Sequence, residues 1–290
     1  MWQRLGKQNY LAVGESRGHC DRTALGHMGN LKMIDYLGTV DWNALWPFIA
    51  IGFAAQIVDG ALGMAFGVIS STLLVSVMGV PPARASAGVH MVEMFTTGAS
   101  GLSHIALRNV DWALFSRIAI PGVIGGVLGA YALSSVDGSV ARPLVMLYLT
   151  SIGFYLLYKA LNYPASPKPR TAKATVPLGL VGGFLDASGG GGWGPVVTSN
   201  LLIQGSDVRK TIGTVNTAEF LITTAVSATF ILTIGLEAFT LVTAGLLIGG
   251  IVAAPFGAVV AKFLPTKTLM LLVGIVLTST SLFSLYRAIA

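Results

Sequence analysis

The chain has 290 residues, of which 53% are hydrophobic and only 10% charged, and its mean hydropathy is +0.74. A soluble domain carries roughly 25% charged residues, so this composition excludes an ordinary water-covered globule and indicates an all-α polytopic membrane protein. The formal net charge of +6 resides at the ends of apolar segments and in one linker, which assigns it to orientation in the bilayer and not to nucleic acid.

Residues 1–40 form a polar tail with Arg4, Lys7, Arg17, Arg22 and Lys32. It lacks the compact apolar core of a signal peptide, and Met28 and Met33 offer later starts. The single cysteine, Cys20, lies in this tail, leaving neither an intrachain disulfide nor a cysteine metal site.

The segment 43–79 is apolar but is punctuated by Asp59-Gly60 and Gly63. One spanning helix needs about 20 residues, so the segment reads as two short pieces, 43–60 and 63–79, that re-enter or meet at mid-depth. Pro81-Pro82 closes it. A helix over 83–107 follows, carrying Arg84, His90, Glu93, Thr97 and Ser100 as its polar members. The turn Arg108–Asp111 leads to a helix over 112–134 with the ladder Gly122, Gly125, Gly126 and Gly129. Glycines four apart share a face and permit close helix contact. Another helix is expected over 140–161. The stretch 163–173, with Pro164, Pro167, Pro169, Lys168, Arg170 and Lys173, is a linker. After it the pattern recurs: short pieces at 175–188 and 193–204 around Gly189–Gly192, then helices over 207–234, 236–264 and 267–288.

The halves 41–162 and 174–290 align as repeats. Asp59 falls on Asp186, Gly63 on Gly190, Phe66 on Trp193 and Gly67 on Gly194. His90-x-x-Glu93 parallels Asn216-x-x-Glu219, Arg84 parallels Arg209, and Gly125-Gly126 parallels Gly249-Gly250. Whether the short pair re-enters or crosses twice, each half crosses an odd number of times. The second copy is then upside down, as in transporters built from inverted repeats with broken helices around a midplane site. With the linker inside, most Lys and Arg near helix ends fall on the cytoplasmic side.

Ionisable groups inside spans face the bundle interior or a cavity. Glu93 and Glu219 lie deep in equivalent helices, each three residues from a polar neighbour on the same face, His90 and Asn216. Burial disfavours the charged form of a carboxylate, which suits a proton-coupling group. The alternative is a glutamate neutralised by Arg84 or His90 to hold helices together. Asp59 and Asp186 are either helix caps or further proton-coupling candidates. Free N–H groups in the glycine run favour an anion, and arginine binds oxyanions with two parallel hydrogen bonds. The candidate substrate-binding set is therefore Arg84, His90, Ser188, Gly190, Gly191, Gly192, Trp193, Arg209 and Asn216. Snorkelling to the interface is the alternative for both arginines. Gly189-x-Gly191-x-x-Gly194 matches a dinucleotide fingerprint only formally, since no strand precedes it. No local motif places a catalytic set, and no cofactor is implied.

The run Asp186-Ala-Ser-Gly-Gly-Gly-Gly-Trp-Gly-Pro195, followed by Asn216-Thr-Ala-Glu219, resembles the TauE/SafE family of membrane exporters. Asp59-Gly60-Ala-Leu-Gly-Met, Ala87-Gly88-Val-His90-x-x-Glu93 and Asn109-Val-Asp111-Trp112 agree in the first half, and the resemblance spans about residues 44–289. It implies export of sulfite, sulfoacetate or related organosulfonates. The expectation is a multi-pass secondary transporter of the cell inner membrane, with a small anion and the bilayer as partners and a homodimer left open. An anion channel and a receptor or scaffold without flux are the alternatives. Closer backbone approach to the cargo is expected from the 186–194 side.

Overall fold

The computed structural model describes residues 42–62, 64–162, 173–204, 206–236, 241–263 and 266–289. The 1–40 tail, the linker through residue 172 and Gly63 lie outside the described residues, as does the side chain of Arg209.

All regular structure among the described residues is helical. The first half consists of α1 (Trp42–Leu62), α2 (Phe66–Ser76), α3 (Pro82–Ala106), α4 (Trp112–Ser135) and α5 (Gly138–Leu161). The second consists of α6 (Thr175–Gly189), a π-helical turn (Gly194–Thr198) running into α7 (Ser199–Ile203), then α8 (Val208–Ile234), α9 (Leu241–Phe263) and α10 (Thr266–Ile289). Among the described residues, three stretches are long and apolar enough to cross a bilayer: Trp112–Ser135, Gly138–Leu161 and Lys210–Ile234.

The distribution of side chains is inside-out relative to a soluble protein. Ile120, Ile124, Leu128 and Tyr131 form an exposed stripe on α4, while Ser70, Ser71, Thr72, Ser86, His90 and Glu93 are buried. Large exposed apolar surface together with a polar interior marks contact with hydrocarbon. The architecture is that of a polytopic membrane protein.

Helix boundaries follow local chemistry. Asp111 caps α4, its Oδ1 accepting from the Ala113 and Leu114 amides at 3.0 and 3.1 Å. Asp137 caps α5 through the Ser139 amide, and Asp207 caps α8 through the Lys210 amide, both at 2.8 Å. Such side chains satisfy backbone donors that a helix start leaves unpaired. At the other end of α2, the Arg142 guanidinium donates to the Val75 carbonyl at 2.9 Å. The first break differs slightly from expectation: α1 continues through Asp59-Gly60 to Leu62, and α2 stops at Ser76. One Asp-Gly pair does not terminate a helix whose preceding turns are apolar and packed.

The halves exchange their first helices. α1 packs mainly on α9 of the other half, and α6 packs on α4. The remaining pairings follow the repeat: α3 with α8, α5 with α10, α4 with α8 and α3 with α9. The glycine ladders mediate the exchange. A Cβ on Gly125 would collide with the Leu180 carbonyl oxygen and the Phe184 amide nitrogen, and one on Gly249 would meet the same pair of atoms at Ile49 and Phe53. Backbones approach this closely only where no side chain intervenes.

Candidate functional site

Each break is tied by an aspartate to an amide seven residues on. Asp59 Oδ1 accepts from the Ala65 amide at 2.7 Å and the Phe66 amide at 3.1 Å. Asp186 Oδ1 accepts from the Trp193 amide at 2.9 Å. The two breaks then cross. A Cβ on Gly67 would come 2.8 Å from Gly191 Cα, and one on Gly194 would come 2.6 Å from Met64 Cβ. In the repeat alignment Gly67 corresponds to Gly194 and Met64 to Gly191, so these are the same contact made twice. Gly190 has φ +75° and Gly191 φ +137°, values that glycine adopts without the steric penalty a Cβ brings. The Gly191 amide turns back onto the Asp186 carbonyl at 2.8 Å. A lone glycine run in the sequence thus becomes the tight half of a crossing.

Seven acids lie among the described residues, and Asp111, Asp137 and Asp207 are the helix caps above. The other four, Asp59, Glu93, Asp186 and Glu219, all line one small cavity at the crossing, with Phe66, Gly67, Gly192, Trp193 and Gly194. The space open to the centre of a water is about 10 Å³, room for about one molecule. Among the described residues, no lysine or arginine lines it.

His90 bridges the halves. Its Nε2 lies 3.1 Å from Asp186 Oδ2, and its Nδ1 lies 2.8 Å from the Ser86 carbonyl oxygen. Both ring nitrogens therefore face acceptors. A neutral imidazole has one N–H, so its tautomer decides which of these two contacts it donates to. Ser86 fixes the arrangement further, its hydroxyl donating to the Ala187 carbonyl at 2.7 Å. Glu93 is 5% exposed. A Cβ on Gly67 would come 3.0 Å from Glu93 Oε1, while Glu93 Oε2 has no hydrogen-bond partner.

The candidate residues separate clearly. Asp59, Glu93, Asp186, Glu219, Gly192 and Trp193 line the cavity. His90 reaches it through Asp186. Gly190 and Gly191 shape the crossing, their carbonyls accepting from the Ser71 hydroxyl and, at 3.0 Å, from the Tyr148 hydroxyl. Asn216 donates instead to Ser100 Oγ at 3.1 Å, away from the cavity. Ser188 donates to the Phe184 carbonyl and lines a separate apolar cavity of about 260 Å³ between α4, α5 and α6. Arg84 is exposed on the first turn of α3 and does not line the cavity. Neither partner considered for Glu93 neutralises it, because His90 is engaged with Asp186 and Arg84 points elsewhere. Sequence reasoning missed Tyr148, whose ring packs on Gly189 and Gly192. Nothing in the apolar run of α5 distinguishes it. Ser86 was findable, being one helical turn before His90.

With this geometry in hand, comparison with known proteins is decisive. The family described as Sulfite exporter TauE/SafE matches residues 48–284. The chain belongs to the TauE/SafE family. A probable membrane transporter protein, YtnM of Bacillus subtilis (strain 168), is 45% identical over 238 residues, covering 79% of this chain and 79% of that protein. No solved structure matches the chain. As a TauE/SafE member resembling a membrane transporter, it is directed by family and relative alike toward transport and away from enzymatic chemistry.

Proposed function

We propose that this TauE/SafE protein is a secondary transporter of the inner membrane that exports small anions, sulfite or an organosulfonate such as sulfoacetate, in a proton-coupled cycle. The family description supports the sulfur oxyanion class. One observation supports the coupling: Asp59, Glu93, Asp186 and Glu219 line a single cavity that, among the described residues, holds no lysine or arginine. Several charged carboxylates in one small buried space repel one another and lose their hydration. Protons relieve both costs. An anion approaches such a cavity only after they have bound, which links cargo entry to proton uptake. The repeat alignment and the exchanged helix pairs support inverted halves that rock about the crossing to alternate access.

Counterflow in proteoliposomes tests this reading, across sulfite, sulfoacetate, isethionate, taurine and sulfate at two pH values. Saturable, pH-dependent exchange of a sulfur oxyanion is expected, with the pH dependence lost in Glu219→Gln. Flux that never accumulates substrate against its gradient would favour a channel. Unaltered pH dependence in a folded Glu219→Gln would remove the coupling role.

A further inference from the structure

The crossing contains a set of backbone donors that the protein already fills with its own carboxylates. Ala65, Phe66 and Gly67 present their amides at the start of α2, where helix geometry leaves N–H groups unpaired and the helix dipole favours an anion. Asp59 takes the first two, and Glu93 Oε1 lies beside Gly67. Asp186 takes the Trp193 amide of the other break. These residues line the same cavity. An independent observation shows that the set is incomplete as it stands. Glu93 is almost wholly buried, yet its Oε2 has no partner, and orphaned buried polar atoms of this kind call for a reason. A protonated carboxyl supplies one O–H donor. Glu93 lines this cavity, where such a donor matches an oxyanion oxygen.

We propose that the amides of Ala65, Phe66 and Trp193 form the oxyanion site of the cargo, that the Asp59 and Asp186 carboxylates are tethered stand-ins occupying it between transport events, and that protonated Glu93 donates to the bound anion. The inference rests on the anion-transport reading above and specifies its binding chemistry. Cargo and aspartates compete for the same N–H groups. A proton on either aspartate weakens its hold on its amide, because charged acceptors bind amides about twice as strongly as neutral ones. The groups facing Glu93 are Asp59 on α1, Asp186 on α6 with His90 beside it, and Glu219 on α8. Protons from the aqueous side therefore promote anion entry and their release expels it. A simple helix cap behaves in the opposite way, since its loss only weakens the fold.

The test measures binding of methanesulfonate, sulfate, acetate and phosphate to the purified full-length protein in detergent, at pH 5.5 and 8, by calorimetry. Thermal unfolding of each variant serves as the control on folding. Wild type is expected to bind a sulfonate more weakly at pH 8. Asp186→Asn and Asp59→Asn, which keep a hydrogen-bond acceptor without the charge, are expected to bind about tenfold more tightly at pH 8. Glu93→Gln, whose amide is a permanent donor, is expected to retain binding with a flattened pH dependence, and Glu93→Ala to lose it. Folded aspartate variants that bind a sulfonate no more tightly than wild type would overturn the stand-in role and leave the transport reading intact. Tighter binding of acetate or phosphate alone would uphold the site and overturn the sulfonate cargo. Absence of any oxyanion binding in wild type and all variants would overturn both. Where an aspartate variant does not fold, the Glu93→Gln pair of pH values decides: affinity falling at both would sink the donor role.

Discussion

The two breaks share a frame and differ in chemistry. Asp59 and Asp186 both hold an amide seven residues on, and both breaks pack a glycine against the other. At the first, Asp59 binds two amides, and the sequence reads Ala61-Leu62-Gly63-Met64 where the second has glycines. At the second, Asp186 divides its oxygens between the Trp193 amide and His90, and glycines let the backbone take left-handed values. His90 comes from the first half, and its repeat counterpart Asn216 turns to Ser100 instead. The shared frame follows the repeat read in the sequence. The His90–Asp186 pair lies on one side of it only.

Substitutions at matched positions break or sharpen this contrast. Gly191→Ala puts a side chain on φ +137° and into the Gly67 and Val68 backbone. It is expected to destabilise by at least about 3 kcal/mol through strain and overpacking, seen as loss of folded protein in detergent. Met64→Ala, its repeat counterpart, is expected to cost about 1 kcal/mol, a typical figure for a single substitution. Asp186→Ala strands a buried histidine and an amide, for about 3 kcal/mol. Asp59→Ala removes two hydrogen bonds and strands no histidine, for about 1 to 2 kcal/mol. Equal losses in thermal unfolding would contradict the asymmetry. Tyr148→Phe is the mildest, deleting one hydrogen bond to Gly191 at about 1 kcal/mol or less while the ring still covers the glycines.

The fold was largely legible because lipid permits few architectures. An aspartate and glycines inside apolar, helix-length runs mark breaks, and the glycine ladders mark close packing. The repeat located Phe66 against Trp193 and Glu93 against Glu219, and all four line the cavity. Partner choice was not legible. His90 shares a face with Glu93 yet pairs with Asp186, because tertiary crossing and not helical spacing brings them together. Arg84 matched the repeat but starts a helix, where a long side chain reaches the surface. Tyr148 carried no signal at all, since its role depends on packing against glycines from the other half.

The exchange of first helices bears on how the chain is made. Synthesis delivers α1 through α5 before α6 exists, and nascent proteins begin to fold from the N-terminal side. The ladder on α4 receives its cover, α6, only after the linker has emerged, and α1 waits longer still for α9. Neither half closes on itself. The α4 seam can close once α6 has been made, and the α1 seam only when α9 follows.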